Sequence, residues 1–219
     1  MRQVAFAEAS DRAMTRRRSL REAYIEPIPQ VTVPTGRRGP WEIQRETVTA
    51  EDASWSQVVS LDGRHVPEGR YTILRHDDEG VVMSDTPDER FDHAKFVRHA
   101  TGHVLITGLG LGVAVGAVVG KPDVSHVTVI EISADIIALV GGHYACDRLT
   151  IIEADALAHR PPRGERYGAV WHDIWPAISD ENLGDMRVLK RRYARRTSWQ
   201  GCWCENECLR MRERWRAFA

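Results

Sequence analysis

Three glycines at alternate positions, Gly108, Gly110 and Gly112 in "HVLITGLGLGVAVGAVVG", sit where a short apolar run gives way to a helical one. Glycine lets a chain turn tightly and lets a ligand approach with no Cβ in the way. Glu131 follows Gly112 by 19 residues, Asp155 lies in "EADAL", and the pair His172–Asp173 lies in "YGAVWHDIW". A carboxylate at the place of Glu131 can accept hydrogen bonds from both hydroxyls of a ribose, and one at Asp155 stands where an adenine amino group would lie. Together these residue types point to an adenosine-containing ligand. The dinucleotide pattern G-x-G-x-x-G fails in both registers, because Val113 and Val115 stand where its third glycine belongs. The pattern present is G-x-G-x-G, as in loops that need no pyrophosphate at a helix terminus.

Such residues meet only if a sheet carries them. "HVLIT", "HVTVIEI", "RLTIIEA" and "YGAVWHDIW" are apolar runs about 22 residues apart, with helical patterns "VAVGAVV" and "SADIIALVGGHY" between the first three. That alternation predicts βαβ units in a parallel sheet, which binds ligands at the carboxyl ends of its strands. Past Trp175 no run reads as a fifth strand; "DENLGDMRVLKRRYARR" and "CENECLRMRERWRAF" both read as helices. The expected fold class is therefore α/β, with a parallel sheet truncated after its fourth strand.

Ahead of the glycines, "WEIQRETV", "RYTILRH" and "GVVMS" alternate as strands do, and "DDEG" predicts a hairpin between Arg70 and Ser84. "TPDERFDHAKFVRHA" predicts a helix with Thr86 as N-cap, Pro87 at its first position, and Asp88 and Glu89 in its first turn. The chain divides accordingly: a polar basic extension at 1–40, mobile or helical; a β-rich module plus helix at 41–100; the ligand-binding core at 101–178; and a basic helical segment at 179–219.

Composition excludes some functions. The net charge of −1 over 219 residues gives no global field favouring nucleic acid or acidic membranes. A membrane span needs about 20 apolar residues, and interior glycines at alternate positions each cost roughly 1 kcal/mol of helix stability relative to alanine, so the glycine run is not a span. The N-terminus has no apolar signal-peptide region. Four cysteines, three of them clustered as Cys202, Cys204 and Cys208, do not make a secreted disulfide framework, and the expected setting is reduced and cytoplasmic. "CWCENEC" lacks a fourth ligand and the usual C-x2-C spacing of structural zinc, so no metal is expected. From Met186 to Ala219 ten Lys/Arg face three Glu, a local balance of +7. With Tyr193, Trp199 and Trp215 this composition can contact phosphates and stack on bases; a solvated helix face is the plainer reading.

"VLITGLGLG", "VTVIEIS", "LTIIEADAL" and "YGAVWHDIWP" resemble successive motifs of class I S-adenosylmethionine-dependent methyltransferases, in particular their spermidine-synthase-like branch. "MSDTPDERFDH" is similar to the segment before the loop in that branch, where an acidic pair precedes a histidine, here Asp88, Glu89 and His93. The resemblance covers about residues 81–178. It implies a Rossmann-like sheet and S-adenosylmethionine as cofactor, with Gly108, Leu109, Gly110 and Gly112 around the methionine and ribose. It places Glu131 and Ile132 at the ribose, and Asp155 with Ala156 at the adenine. It puts Asp173 at the acceptor, and Asp88 and His93 on the acceptor side; by strand position alone either Asp173 or His172 could serve as general base, and Trp175 could shape an acceptor pocket or be core. Leu111 stands where aminopropyltransferases place an aspartate, and "HDIWP" carries one carboxylate where they carry two. Methyl transfer to an unidentified acceptor is thus the first expectation and aminopropyl transfer the second. The third is a non-catalytic binding module, contacting nucleic acid through its basic end. No membrane partner is expected, and a homodimer is left open, as is whether the C-terminal helices complete the sheet's missing flank in a partner.

Overall fold

A computed structural model describes residues 28–60 and 64–218. The first of its two sheets is antiparallel, in the order β1 (Gly36–Arg38), β2 (Trp41–Val48), β3 (Gly69–His76), β4 (Gly80–Ser84). The expected hairpin is β3–β4, and β2 pairs along its whole length with β3. Between β2 and β3 lies a helix not foreseen, α1 (Ala50–Val59), started by a capping box in which Thr49 and Asp52 satisfy each other's backbone N–H groups.

The expected extension at 1–40 meets the structure only in its last residues. Residues 1–27 lie outside the described residues, but Ile28, Val31 and Val33 are buried in the main core. The cause is Asp85, itself buried, whose Oδ2 accepts from the Val31 amide at 3.1 Å while Oδ1 accepts from the Thr72 amide at 2.7 Å. One carboxylate thus ties the incoming chain to β3.

The expected helix after Thr86 is two, α2 (Pro87–Asp92) and α3 (Ala94–His99), meeting at His93. Thr86 is the N-cap residue, but its hydroxyl lies against Ser84 Oγ and does not cap the helix.

The second sheet is parallel throughout: β7 (Leu149–Glu153), β6 (Val124–Glu131), β5 (Gly102–Thr107), β8 (Ala169–His172), β9 (Gln200–Cys202). The helices are α4 (Val113–Val119) after β5, α5 (Ala134–Val140) after β6, α6 (Leu183–Tyr193) between β8 and β9, and α7 (Glu205–Phe218). Alternation sorts the central strand: Val104 and Ile106 join the core with α4 and α5, whereas Leu105 joins Leu183, Met186, Leu189 and Tyr193 of α6. This is the Rossmann-like α/β architecture expected, with one correction. The sheet is not truncated after its fourth strand, because Gln200–Cys202 pairs with Val170–His172 as a fifth. Chain order reverses between β5 and β8, and the crevice outside such a reversal is where open parallel sheets hold ligands. Among the described residues no helix is long and apolar enough to cross a membrane.

Candidate functional site

At that crevice lies a cavity of about 400 Å³, within the usual size of small-molecule sites. Gly108 and Gly110 line it from the loop after β5, Glu131 and Ile132 from the end of β6, Asp155 and Ala156 from beyond β7, and Asp173 and Trp175 from beyond β8. Four strand ends, distant in sequence, therefore present the predicted residues to one space.

Gly108 has φ +92°, and a Cβ there would stand 1.8 Å from the Asp173 carbonyl oxygen. Only glycine lets the ends of β5 and β8 abut. Gly110 has φ +49°, and its Cβ would meet the Met83 thioether at 2.6 Å; Met83 Sδ accepts from the Leu111 amide at 3.2 Å. Met83 thus lays β4 across the glycine loop. Gly112 does not line the cavity; it packs against the Tyr144 ring, whose hydroxyl donates to the Leu111 carbonyl. Leu109 is buried and contributes its amide, which donates to Glu131 Oε2 at 2.7 Å, while Oε1 accepts from the Ser133 amide at 2.8 Å. Glu131 therefore shapes the loop, and each of its oxygens keeps a lone pair for another donor. Ile132 beside it is 68% exposed, an apolar surface on the cavity lip. Asp155 Oδ1 accepts from the Leu157 amide at 2.7 Å, which leaves Oδ2 for a ligand.

Asp173 is the charged group of the β8 end. Burial, then the nearby charge of Asp92, pushes its carboxyl up to about 7. Glu89, also lining the cavity, is raised to about 8 by burial and by Asp92, against the pull of Arg64. Arg64 grips Asp92 with two hydrogen bonds, at 2.7 and 3.1 Å, and lies 3.8 Å from Glu89. A buried acidic group with one arginine at its back thus faces the cavity.

Besides Gly112, three predicted residues stand elsewhere. His172 does not face the cavity: strand alternation turns it to the opposite side from Asp173, where its Nδ1 meets Thr107 Oγ1 at 3.1 Å and its ring lies 5.5 Å from Tyr193. Burial pushes it down to about 3, so it is neutral and structural. Asp88 is buried in the first turn of α2, and Glu89 is the residue of that turn lining the cavity. His93, fully buried, reaches no acceptor space; its Nε2 lies 3.9 Å from Asp173 Oδ2 and its ring stands edge-on to Trp171. Burial lowers it to about 4. Glu89, of the acidic pair expected ahead of the loop, lines the cavity, and so do Trp41, Glu79, Met83, Asp185 and Trp203, which were not foreseen in that role. No group of three or more His, Cys, Asp or Glu among the described residues is arranged to hold a metal. Cys202 and Cys208 are buried in the core with α6, and Cys204 donates to Asp92 Oδ2 at 3.5 Å.

No protein-family model matches the chain, and no curated protein matches it. Among solved structures it is similar to the N-methyltransferase NodS of Bradyrhizobium japonicum in complex with S-adenosyl-L-homocysteine. That match has 16% identity, covers 51% of this chain and 58% of that one, and gives a TM-score of 0.40. A putative methyltransferase in complex with the Haloferax volcanii Trm112 methyltransferase activator gives 19%, 39%, 40% and 0.34 in the same order. A precorrin 8w decarboxylase of Methanobacterium thermoautotrophicum gives 16%, 56%, 69% and 0.38. The chain thus spans less than two thirds of the length of the first two.

Proposed function

We propose that the cavity binds S-adenosylmethionine and that the protein transfers its methyl group to an acceptor. The observation that carries this reading is the convergence of the glycine loop, Glu131, Asp155 and Asp173 on one cavity at the carboxyl ends of a parallel sheet. The residues fit the group. Gly108 and Gly110 keep side chains out of the space, Glu131 has lone pairs for ribose hydroxyls, Ile132 offers an apolar face to a purine, and Asp155 Oδ2 can accept from its amino group. When bound, S-adenosylmethionine supplies an electrophilic methyl on a sulfonium.

The protein's part is then to hold an acceptor in line and to take its proton. Alignment alone accounts for much of the rate of such displacements. Asp173, poised near 7, is half ionised at neutral pH and so can both accept and release a proton there. His93 behind it is neutral and offers no competing charge.

A second reading, aminopropyl transfer, is favoured by the lining itself. Glu79 and Asp185 add carboxylates to Glu131 and Asp155, and Glu89 and Asp173 add acidic groups that a bound cation would help to ionise, with no Lys, Arg or His among the described lining residues, an environment that attracts a protonated amine. Turnover of decarboxylated S-adenosylmethionine with a diamine distinguishes it.

Calorimetric titration of the full chain with S-adenosylmethionine, S-adenosylhomocysteine and NAD tests the shared core of both readings. Binding of the first two without NAD is expected; a folded protein that binds neither overturns the assignment.

A further inference from the structure

Helices α6 and α7 lie against one another and leave between them a groove of about 330 Å³, floored by Leu183 and Met186 and walled by Arg187, Lys190, Arg191 and Arg212. Two of the carboxylates at or near the groove are engaged. Glu205 holds Lys190 Nζ with both oxygens, at 2.7 and 3.0 Å, and Glu207 holds Arg210 at 2.5 Å. Arg187, Arg191 and Arg212 have no ion-pair partner among the described residues. Arg212 Nε is shut off from solvent with no hydrogen-bond acceptor among the described residues, a state that costs free energy.

The charge continues beyond the groove. Arg187, Arg191 and Arg195, all exposed, recur every fourth residue and so form one stripe on or just past α6. On α7, Trp215 lies three residues past Arg212 and therefore beside it on the helix surface; its indole is 65% exposed. An exposed flat ring next to unneutralised guanidinium groups is the combination that holds a single strand, with phosphates on the cations and a base on the ring.

We propose that the α6–α7 groove is a binding site for single-stranded nucleic acid, with Arg187, Arg191 and Arg212 on phosphates and Trp215 stacked on a base. The site does not rest on the cofactor reading, since the groove shares none of the glycine loop's residues. It also differs in kind from a free-phosphate site, which would not use the indole.

The test is fluorescence anisotropy of the full chain with a labelled 12-nucleotide single-stranded RNA, and with its DNA counterpart, across a salt series. Each neutralised phosphate contributes about −0.7 to the slope of log K against log salt on a single strand, so three give roughly −2. Arg187→Ala and Arg191→Ala, at exposed positions that leave the fold alone, should each flatten the slope by about one phosphate. Arg212→Ala should do the same, and Trp215→Ala should weaken binding at least fivefold with the slope unchanged. Arg70→Glu, an exposed change elsewhere, should leave both alone. No binding at low salt, a slope indifferent to the arginine pair, full displacement by inorganic phosphate, or displacement by polyglutamate as readily as by unlabelled RNA would each overturn the proposal.

Discussion

In its proposed role as base, Asp173 meets two demands that oppose each other. A base must ionise near neutral pH, yet the fold buries this carboxyl beside the acidic Asp92, which favours its neutral form. The same applies to Glu89, raised to about 8. The consequence for rate is that transfer should climb about tenfold per pH unit below 7 and level off above it, as Asp173 loses its proton; a profile flat from 5 to 8 would remove it as the base. The consequence for stability has the opposite sense. Unfolded, these carboxyls ionise near 4; folded, they hold their protons to about 7 and 8, so stability falls as pH rises through that window. Asp173→Asn removes the buried charge while keeping the shape. It should abolish transfer, leave S-adenosylhomocysteine affinity within about threefold, and raise the melting temperature at pH 8 but not at pH 5. A gain of about 1–2 kcal/mol at pH 8 corresponds to roughly 2–8 °C for a chain of this size. A melting curve lowered equally at both pH values would mean the carboxyl is there for structure alone.

The elements show why some of this was legible and some not. β5, β6 and β7 are continuous apolar runs, and the glycine loop and Glu131 follow from them by position. β9 is three residues, "QGC", with no alternation to mark it, and it exists because Val170–His172 offers a free ladder beside it. His172 and Asp173 are neighbours in sequence, and only the pleat, fixed by the pairing of β8 with β5, decides which faces the cavity. Arg64 could not be read at all: it meets Asp92 across 28 residues, through a connection that carries no periodic signal. Two further elements do carry a sequence signal, the Thr49-x-x-Asp52 capping box and the alternation of Val31 and Val33. The loop glycines now separate into two kinds. Gly108→Ala drives a Cβ into the backbone of Asp173, which cannot move without parting β5 from β8, and should cost more than about 4 kcal/mol, at the extreme of single substitutions. Gly110→Ala meets the flexible end of Met83 instead and should cost about 1–2 kcal/mol for its left-handed backbone. Urea denaturation of both variants checks the order; equal losses would contradict the abutting strand ends.

At the scale of the molecule, the cavity belongs to neither sheet alone. Trp41, Leu74 and Met83 reach it from the antiparallel sheet, while Gly108, Glu131 and Asp173 reach it from the parallel one, and a single buried cluster runs from Ile28 through Leu74 to Val104 and Val129. The two sheets should therefore melt in one transition, and a ligand bound between them should raise it, by about 2.7 kcal/mol at a hundredfold excess over its dissociation constant. Asp85 is where that coupling is most exposed to attack. It does not line the cavity, yet it joins Val31 to Thr72, and β3 carries Leu74 into the cavity two residues further on. Asp85→Ala strands two buried amides at about 1–3 kcal/mol each and should lower the melting temperature by several degrees while weakening S-adenosylhomocysteine binding. Asp85→Asn, which retains one acceptor oxygen, should fall between the two in both measurements. Calorimetric melting with and without ligand reads both at once. If Asp85→Ala loses stability with full affinity kept, the antiparallel sheet is packed on the cavity without shaping it; if affinity and stability fall together, the N-terminal strands are part of the site.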